Sequence, residues 1–205
     1  VGEQYFTSQP SSKSDRKEYS AKLRGSDVRF VTDRGVFSKS GIDFGSRLLI
    51  ESLAIPPDST VLDLGCGYGP LGIAVAVTVA SAKVTMLDIN ERAVLLAQEN
   101  VRRNAVDARV QLFVGDGANA LPDGLRFDVI ALNPPIRAGK AVVYRLFAEA
   151  CARLTDSGHL FTVIQKKQGA DSARRYLQSL FINVEIVAKE RGYYVYRCDH
   201  LGSVS

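Results

Sequence analysis

The sequence predicts a doubly wound α/β fold, and three observations carry the prediction. Short apolar runs alternate with stretches of helical length and period from residue 59 onward. The runs are short and mostly apolar, as expected of parallel strands covered on both faces. A glycine-rich segment, VLDLGCGYGPLG, stands where the first run passes into the first helical stretch of this alternation.

Taken in chain order, residues 1–16 are polar and serine-rich and read as an extended arm, held in part by Tyr5 and Phe6. Segments 18–24 and 28–33 alternate apolar and polar residues around Arg24-Gly25-Ser26-Asp27, a hairpin signal. Asp43 is a helix N-cap, followed by a helix with an apolar face through Leu48, Leu49 and Leu53. Expected strands are 60–64, 83–88, 110–114, 127–132 and 158–164; expected helices are 70–80, 91–104, 140–154 and 169–180. INVEIVAKE and YYVYRC, separated by Arg191-Gly192, add an antiparallel hairpin, so that Tyr193, Tyr194 and Tyr196 pack as strand residues. The whole is a Rossmann-like, seven-stranded, mostly parallel sheet with helices on both faces and an N-terminal β-hairpin extension. Residues 1–40 form the arm and hairpin, and 41–205 the main body of one domain.

Composition narrows the function classes. No apolar run approaches the ~20 residues that span a bilayer, and the N-terminus has no apolar signal core. Cys66, Cys151 and Cys198 are widely spaced and odd in number, which speaks against a disulfide framework or a zinc site and for a reducing cytoplasm. With only His159 and His200 present, no metal centre is expected. A net charge of +4 and a pI near 9.0 are compatible with nucleic acid without requiring it.

The glycine segment is not the dinucleotide pattern G-x-G-x-x-G, because Pro70 takes the place of the last glycine. It reads D-x-G-x-G-x-G: Asp63, then Gly65, Gly67 and Gly69, with Pro70 suited to the first helical turn. A carboxylate at Asp63 suits a cationic amino group better than a pyrophosphate. The blander reading is a turn that merely links strand to helix. Cys66 lies inside the loop as a small filler, with no helper histidine nearby to make it a nucleophile. Asp88 ends the second strand of the alternation, where it can accept from both ribose hydroxyls, and Ile89 is placed to pack on adenine; Asn90 caps the next helix. Asp116, between Gly115 and Gly117, can accept from the adenine amino group, or simply form an Asx turn. Three acids at three strand ends match the amine, ribose and adenine of one cofactor, S-adenosyl-L-methionine.

After the fourth strand comes Asn133-Pro134-Pro135. The prolines hold Asn133 rigidly and keep the Pro134 carbonyl out of helical hydrogen bonding. The Asn133 side-chain oxygen and the Pro134 carbonyl supply the two acceptors that an amino group needs while its lone pair is methylated. A proline-stiffened loop with no chemical role is the plain alternative.

These residues resemble the class I S-adenosylmethionine-dependent methyltransferases, and most closely the ribosomal RNA small subunit methyltransferase C family of guanine-N2 enzymes, in its single-domain bacterial form. EQYFTSQPSSKSD, LRG, GVFSKSGIDFGSRLLIE, VLDLGCGYGPLG, LDINERAVLLAQEN, NPPIRAGK and VIQKKQGA carry the resemblance. It implies methyl transfer to an exocyclic amino group of an RNA base, guanine N2 of ribosomal RNA first. Adenine N6, a protein glutamine amide, and a catalytically silent RNA-binding module are the alternatives. It places Asp63, Gly65, Gly67, Asp88 and Asp116 at the cofactor, Phe37 and Ser38 in a segment closing over it, and Asn133, Pro134 and Pro135 at the transferred amino group. Ile136 stands where many such enzymes have an aromatic residue stacking on the target. Longer members carry a duplicated, degenerate methyltransferase domain that this sequence lacks. Arg137, Lys140, Lys166 and Lys167 are expected at phosphates of RNA or a ribosomal subunit, with Arg16, Lys17, Lys22, Arg24 and Arg29 extending the basic surface; an ordinary solvated charge cluster is the alternative.

Overall fold

The computed structural model describes residues 16–33 and 41–200. A hairpin of β1 (Lys17–Leu23) and β2 (Ser26–Thr32) comes first, then α1 (Phe44–Ser52). Strand and helix then alternate: β3 (Thr60–Leu64), α2 (Pro70–Thr78), β4 (Lys83–Asp88), α3 (Glu91–Arg103), β5 (Val110–Val114), β6 (Phe127–Leu132), α4 (Lys140–Arg153), β7 (Leu154–Gln165) and α5 (Ala170–Leu180). The chain closes on β8 (Asn183–Glu190) and β9 (Tyr193–Asp199). The seven-stranded sheet has the order β5-β4-β3-β6-β7-β9-β8, with β9 antiparallel to both of its neighbours. The expected fold class is the observed one.

Alternation along each strand builds two cores. Val61, Val129, Ala131, Phe161 and Val163 face α1, α2, α3 and the hairpin. Leu62, Leu64, Ile130, Leu132, Leu160 and Ile164 face α4 and α5. Strand β7 begins earlier than the sequence suggests. Leu154 pairs with Phe127 ahead of a register shift at Phe127/Val129, and the polar Thr155-Asp156-Ser157 hides this part of the strand from a reading based on apolar runs.

Helix α3 fastens the hairpin to the glycine loop. Asn100 is fully buried; its Oδ1 accepts from the Val31 amide at 2.7 Å, and its Nδ2 donates to the carbonyls of Val31 and Tyr68, both at 2.9 Å. One turn later Asn104 pairs with Arg29 in the same manner. Two side-chain amides four residues apart thus continue the hydrogen-bonding edge of β2. Asn100→Ala strands one buried donor and two acceptors and is expected to cost about 3 kcal/mol. Urea unfolding checks this, and a loss below about 1 kcal/mol would refute the role given to Asn100.

Candidate active site

Register brings the tips of four parallel strands to one edge. Leu64 lies opposite Leu87 and Leu132, and Asp88 opposite Val114. From β3 the sheet grows outward through β4 and β5 on one side and through β6 and β7 on the other, so the β3/β6 boundary is the switch point where doubly wound sheets open a crevice. The glycine loop leaves β3 and the Asn-Pro-Pro loop leaves β6 at this boundary.

The loop is shaped by its backbone. Gly65 and Cys66 donate to the Leu87 carbonyl at 2.8 and 3.0 Å, which folds the chain over the tip of β4. Gly67 lies at φ 56°, where a side chain is disfavoured, and a Cβ there would meet no atom within 4 Å. Gly69 is required for a different reason. At φ 99° it is the residue before α2, and a Cβ would fall 2.7 Å from Met86 Cε. Pro70 begins α2 with no amide to lose. Cys66 is 4% exposed, and burial pushes its thiol well above the ordinary range, which keeps it a neutral filler.

Two carboxylates lie beneath this loop. Asp63 is buried, and its Oδ2 accepts from the Gly72 amide in the first turn of α2 at 2.8 Å. Asp88 Oδ2 accepts from the Gly67 amide and Oδ1 from the Asn90 amide, both at 2.8 Å. Burial pushes the Asp63 carboxyl up to about 7, the Gly72 amide opposes this, and repulsion from Asp88 adds to it. Burial likewise raises Asp88, against the amides that hold it. Neither acid forms an ion pair with a described residue. Asn90 accepts from the amides of Arg92 and Ala93 and is the expected helix cap. Ile89 is half-buried beside Asp88.

The third acid differs. Asp116 is exposed, and its Oδ1 accepts from Arg145 of α4 at 2.7 Å; Arg145 also pairs with Glu149. Gly117 has a packing explanation, since a Cβ would fall 2.1 Å from Glu149 Oε2. Phe37 and Ser38 lie outside the described residues.

At the tip of β6, Asn133 donates through Nδ2 to Ser46 Oγ of α1 at 2.8 Å. Pro135 lies at φ −74° and ψ 75°, the inverse γ-turn conformation. The Pro134 carbonyl accordingly accepts from the Ile136 amide at 2.8 Å. The sequence reading correctly took this carbonyl out of helical bonding but missed the turn; one of its two lone pairs remains. Ile136 is half-buried against the core on the α4 side. Arg137, Lys140 and Lys166 are exposed, with the Lys140 ammonium 5.0 Å from the Tyr144 ring. Lys166, Lys167, Gln165, Asp171, Arg191 and Gly192 line a cleft of about 510 Å³ at the end of β7. Arg24 is not part of a basic face. Its guanidinium donates to the carbonyls of Ile50 and Leu53 at the end of α1, and burial lowers its pKa.

Sequence reasoning missed the contact of Asn133 with Ser46, the hydrogen bond of 2.6 Å from Ser46 Oγ to Asp43, and the stack in which Arg191 covers Phe44 at 4.8 Å and Phe44 meets Tyr193 at 5.5 Å. Asp43 and Ser46 read only as a helix start. Nothing local ties Ser46 to Asn133, 87 positions away.

The family model described as the methyltransferase small domain matches residues 27–197. The chain is 44% identical to the uncharacterized protein YbxB of Bacillus subtilis, over 95% of this chain and 97% of that one. It is 32% identical to the ribosomal RNA large subunit methyltransferase G of Alcanivorax borkumensis, over 88% of this chain and 47% of the relative. It is also 32% identical to the ribosomal RNA small subunit methyltransferase C of Pseudomonas entomophila, over 85% and 52%. Among solved structures, the 16S rRNA N2 methyltransferase RsmC of T. thermophilus, in complex with AdoMet and guanosine, superposes with a TM-score of 0.80 at 29% identity, covering 90% of this chain and 50% of that one. The chain thus spans about half the length of the ribosomal RNA methyltransferases it matches. The match, which runs from β2 through both loops into β9, shows that this chain belongs to the methyltransferase small domain family.

Proposed function

We propose that this chain transfers a methyl group from S-adenosyl-L-methionine to an exocyclic amino group of an RNA base, with guanine N2 of ribosomal RNA as the acceptor. One observation carries the reading. Two carboxylates with no described counter-ion lie beneath a glycine loop, on the same sheet edge as a rigid amide-and-carbonyl pair. A buried negative charge without a partner is costly, and a cofactor bearing an ammonium and a sulfonium neutralises it. The residues therefore fit this cofactor, which when bound supplies an electrophilic methyl group.

Asp88 accepts from the Gly67 and Asn90 amides, with the Ile89 amide also favouring its ionised form, and offers what lone pairs remain to ribose hydroxyls. Asp63 accepts through Oδ2 and has Oδ1 to offer an ammonium. Gly65, Cys66, Gly67 and Gly69 form the cradle, with Ile89 beside the base. Asp116 and Gly117 reach adenine only by sharing the Asp116 carboxylate with Arg145. Asn133 Oδ1 and the spare lone pair of Pro134 accept the two N–H bonds of the target, which turns its nitrogen lone pair toward the methyl group. The work would be positioning and local electrostatics: as the N–C bond forms the S–C bond of the donor breaks, the thioether departs, and the surplus N–H proton is then lost to water, so no general base is needed to activate the nitrogen. Ile136 gives the base an aliphatic wall. Arg137, Lys140 and Lys166 sit on the rim of the same edge, where RNA phosphates would run. The guanosine in the RsmC complex favours guanine, and the names of several relatives favour ribosomal RNA.

The test is to incubate the protein with S-adenosylmethionine and ribosomal subunits, naked ribosomal RNA or protein, then to digest each to nucleosides or amino acids for mass spectrometry. N2-methylguanosine is the expected product. N6-methyladenosine, or methylglutamine alone, would overturn the guanine reading.

Cofactor binding should also depend on pH. Burial raises free Asp63 to about 7, and a cationic ligand favours its ionised form. Affinity is therefore near its full value about a unit above pH 7, is halved at about pH 7 and falls further below it, by roughly tenfold from pH 8 to pH 6. Calorimetry at the two pH values checks this. A flat affinity, or an unchanged slope in Asp63→Asn, would contradict the role of Asp63.

A further inference from the structure

We infer that Ser46 and Asp43 are positioning residues that fix which way the Asn133 amide faces. The inference rests on the reading of Asn133 as an acceptor for the target amino group and extends it to α1. Asp43 is the N-cap of α1; its Oδ1 accepts from the Ser46 amide at 3.1 Å. Its Oδ2 lies 2.6 Å from Ser46 Oγ, and Ser46 Oγ lies 2.8 Å from Asn133 Nδ2.

The direction of this chain follows from counting protons. An amide can be built either way round at such a contact. A serine hydroxyl has one proton, and an ionised carboxylate has none to give. At 2.6 Å the hydroxyl proton must lie between Ser46 and Asp43, since otherwise two acceptors would meet unshielded. Toward Asn133, Ser46 can then only accept. The side chain of Asn133 must present its NH2 group to Ser46, which leaves Oδ1 pointing away. Were the amide reversed, Oδ1 would face a lone pair of Ser46. The negative charge of Asp43 thus sets the orientation two hydrogen bonds away. It also polarises the amide in the sense that makes Oδ1 a better acceptor, since linked hydrogen bonds strengthen one another.

The same contacts explain why a helix start is used for the purpose. A cap is among the most rigid side-chain anchors available, because its geometry is tied to the first helical turn. Gly45, between the two residues, leaves no room for a Cβ, which would fall 2.9 Å from Tyr193 Cε1. The first turn of α1 is therefore pressed against β9, and β9 is paired with β7 beside β6. Relay and catalytic loop share one frame.

Ser46→Ala separates orientation from stability, because the cap that Asp43 makes to the Ser46 amide survives. Turnover is expected to fall by about tenfold to a hundredfold. The cofactor dissociation constant and the melting temperature should stay near those of the unaltered protein. Ser46→Thr restores the hydroxyl and should recover most of the turnover. Asp43→Ser keeps a good N-cap but removes the charge, and should show the loss seen in Ser46→Ala. A second readout needs no activity: the side-chain NH2 protons of Asn133, followed by NMR, should exchange with solvent slowly in the parent and in Ser46→Thr, and faster in Ser46→Ala. Parental turnover in Ser46→Ala, equal losses in Ser46→Thr and Ser46→Ala with the fold intact, or an Asn133 exchange rate indifferent to residue 46 would overturn the relay. If the protein methylates no amino group, the functional reading fails by itself, and the exchange measurement still decides whether Ser46 and Asp43 orient Asn133.

Discussion

Asn133→Ala is expected to lower turnover by about a hundredfold or more while leaving the affinity for S-adenosylmethionine within a few fold of the parent. The expectation follows from where the residue sits. Asn133 follows β6 and bonds across to α1, whereas the carboxylates beneath the glycine loop belong to β3 and β4. On the proposed mechanism, removing its amide deletes one of two acceptors for the target amino group and touches neither Asp63 nor Asp88. Single-turnover kinetics at saturating cofactor, with calorimetry for the cofactor alone, separates the two effects. If cofactor affinity collapsed along with turnover, Asn133 would be part of the scaffold of the pocket and not of its chemistry.

Asp88→Ala is expected to do the reverse. Two hydrogen bonds from hydroxyls to a carboxylate contribute about 3 kcal/mol together, so the cofactor dissociation constant should rise roughly a hundredfold. Turnover at saturating cofactor should change little. The substitution also frees the Gly67 and Asn90 amides. Circular dichroism and the melting temperature are therefore read alongside, and Asp88→Glu, which keeps the charge on a longer arm, should lose less. An unchanged dissociation constant in a folded Asp88→Ala protein would refute the ribose role. Opposite phenotypes at Asn133 and Asp88 are the signature of one pocket with two separable halves.

Much of this was legible along the chain because it is local. A turn from strand to helix needs glycine in particular places, and Gly67 and Gly69 occupy them. A strand that ends in Asp88 followed by Asn90 announces both a carboxylate at the sheet edge and a helix cap, and both are observed. The two prolines predicted a stiff loop, and Pro135 supplies it as an inverse γ-turn. What was not legible depends on contacts between distant segments. Asp116 meets Arg145 only because α4 packs beside the β5 tip, so its exposed ion pair could not be inferred from a Gly-Asp-Gly triplet. Arg24 looked like one more surface cation until the end of α1 came within reach of its guanidinium. Ser46 carries no chemical signature of its own. It is polar at the third position of a helix, where serine is ordinary, and only its contact with Asn133, just beyond the end of β6, sets it apart. The hairpin was visible as a hairpin, yet its attachment through Asn100 to Tyr68 of the glycine loop arises from the pairing of α3 with β2.

Among the described residues no helix is long and apolar enough to cross a membrane. The cleft near Lys166 and Arg191 contains one acid, Asp171, among three cations, the balance of charge that the proposed RNA substrate would need. Arg191 is held over Phe44 next to Asp43, so a phosphate bound in this cleft would lie close to the helix start inferred to orient Asn133.

The most direct measurement is a crystal structure of the protein with S-adenosylhomocysteine and guanosine bound together. The ribose hydroxyls of the first should rest on Asp88, and the exocyclic nitrogen of the second should lie within hydrogen-bonding distance of both Asn133 Oδ1 and the Pro134 carbonyl. Nucleosides bound away from the tips of β3 and β6, or a guanine whose amino group meets neither acceptor, would contradict the account.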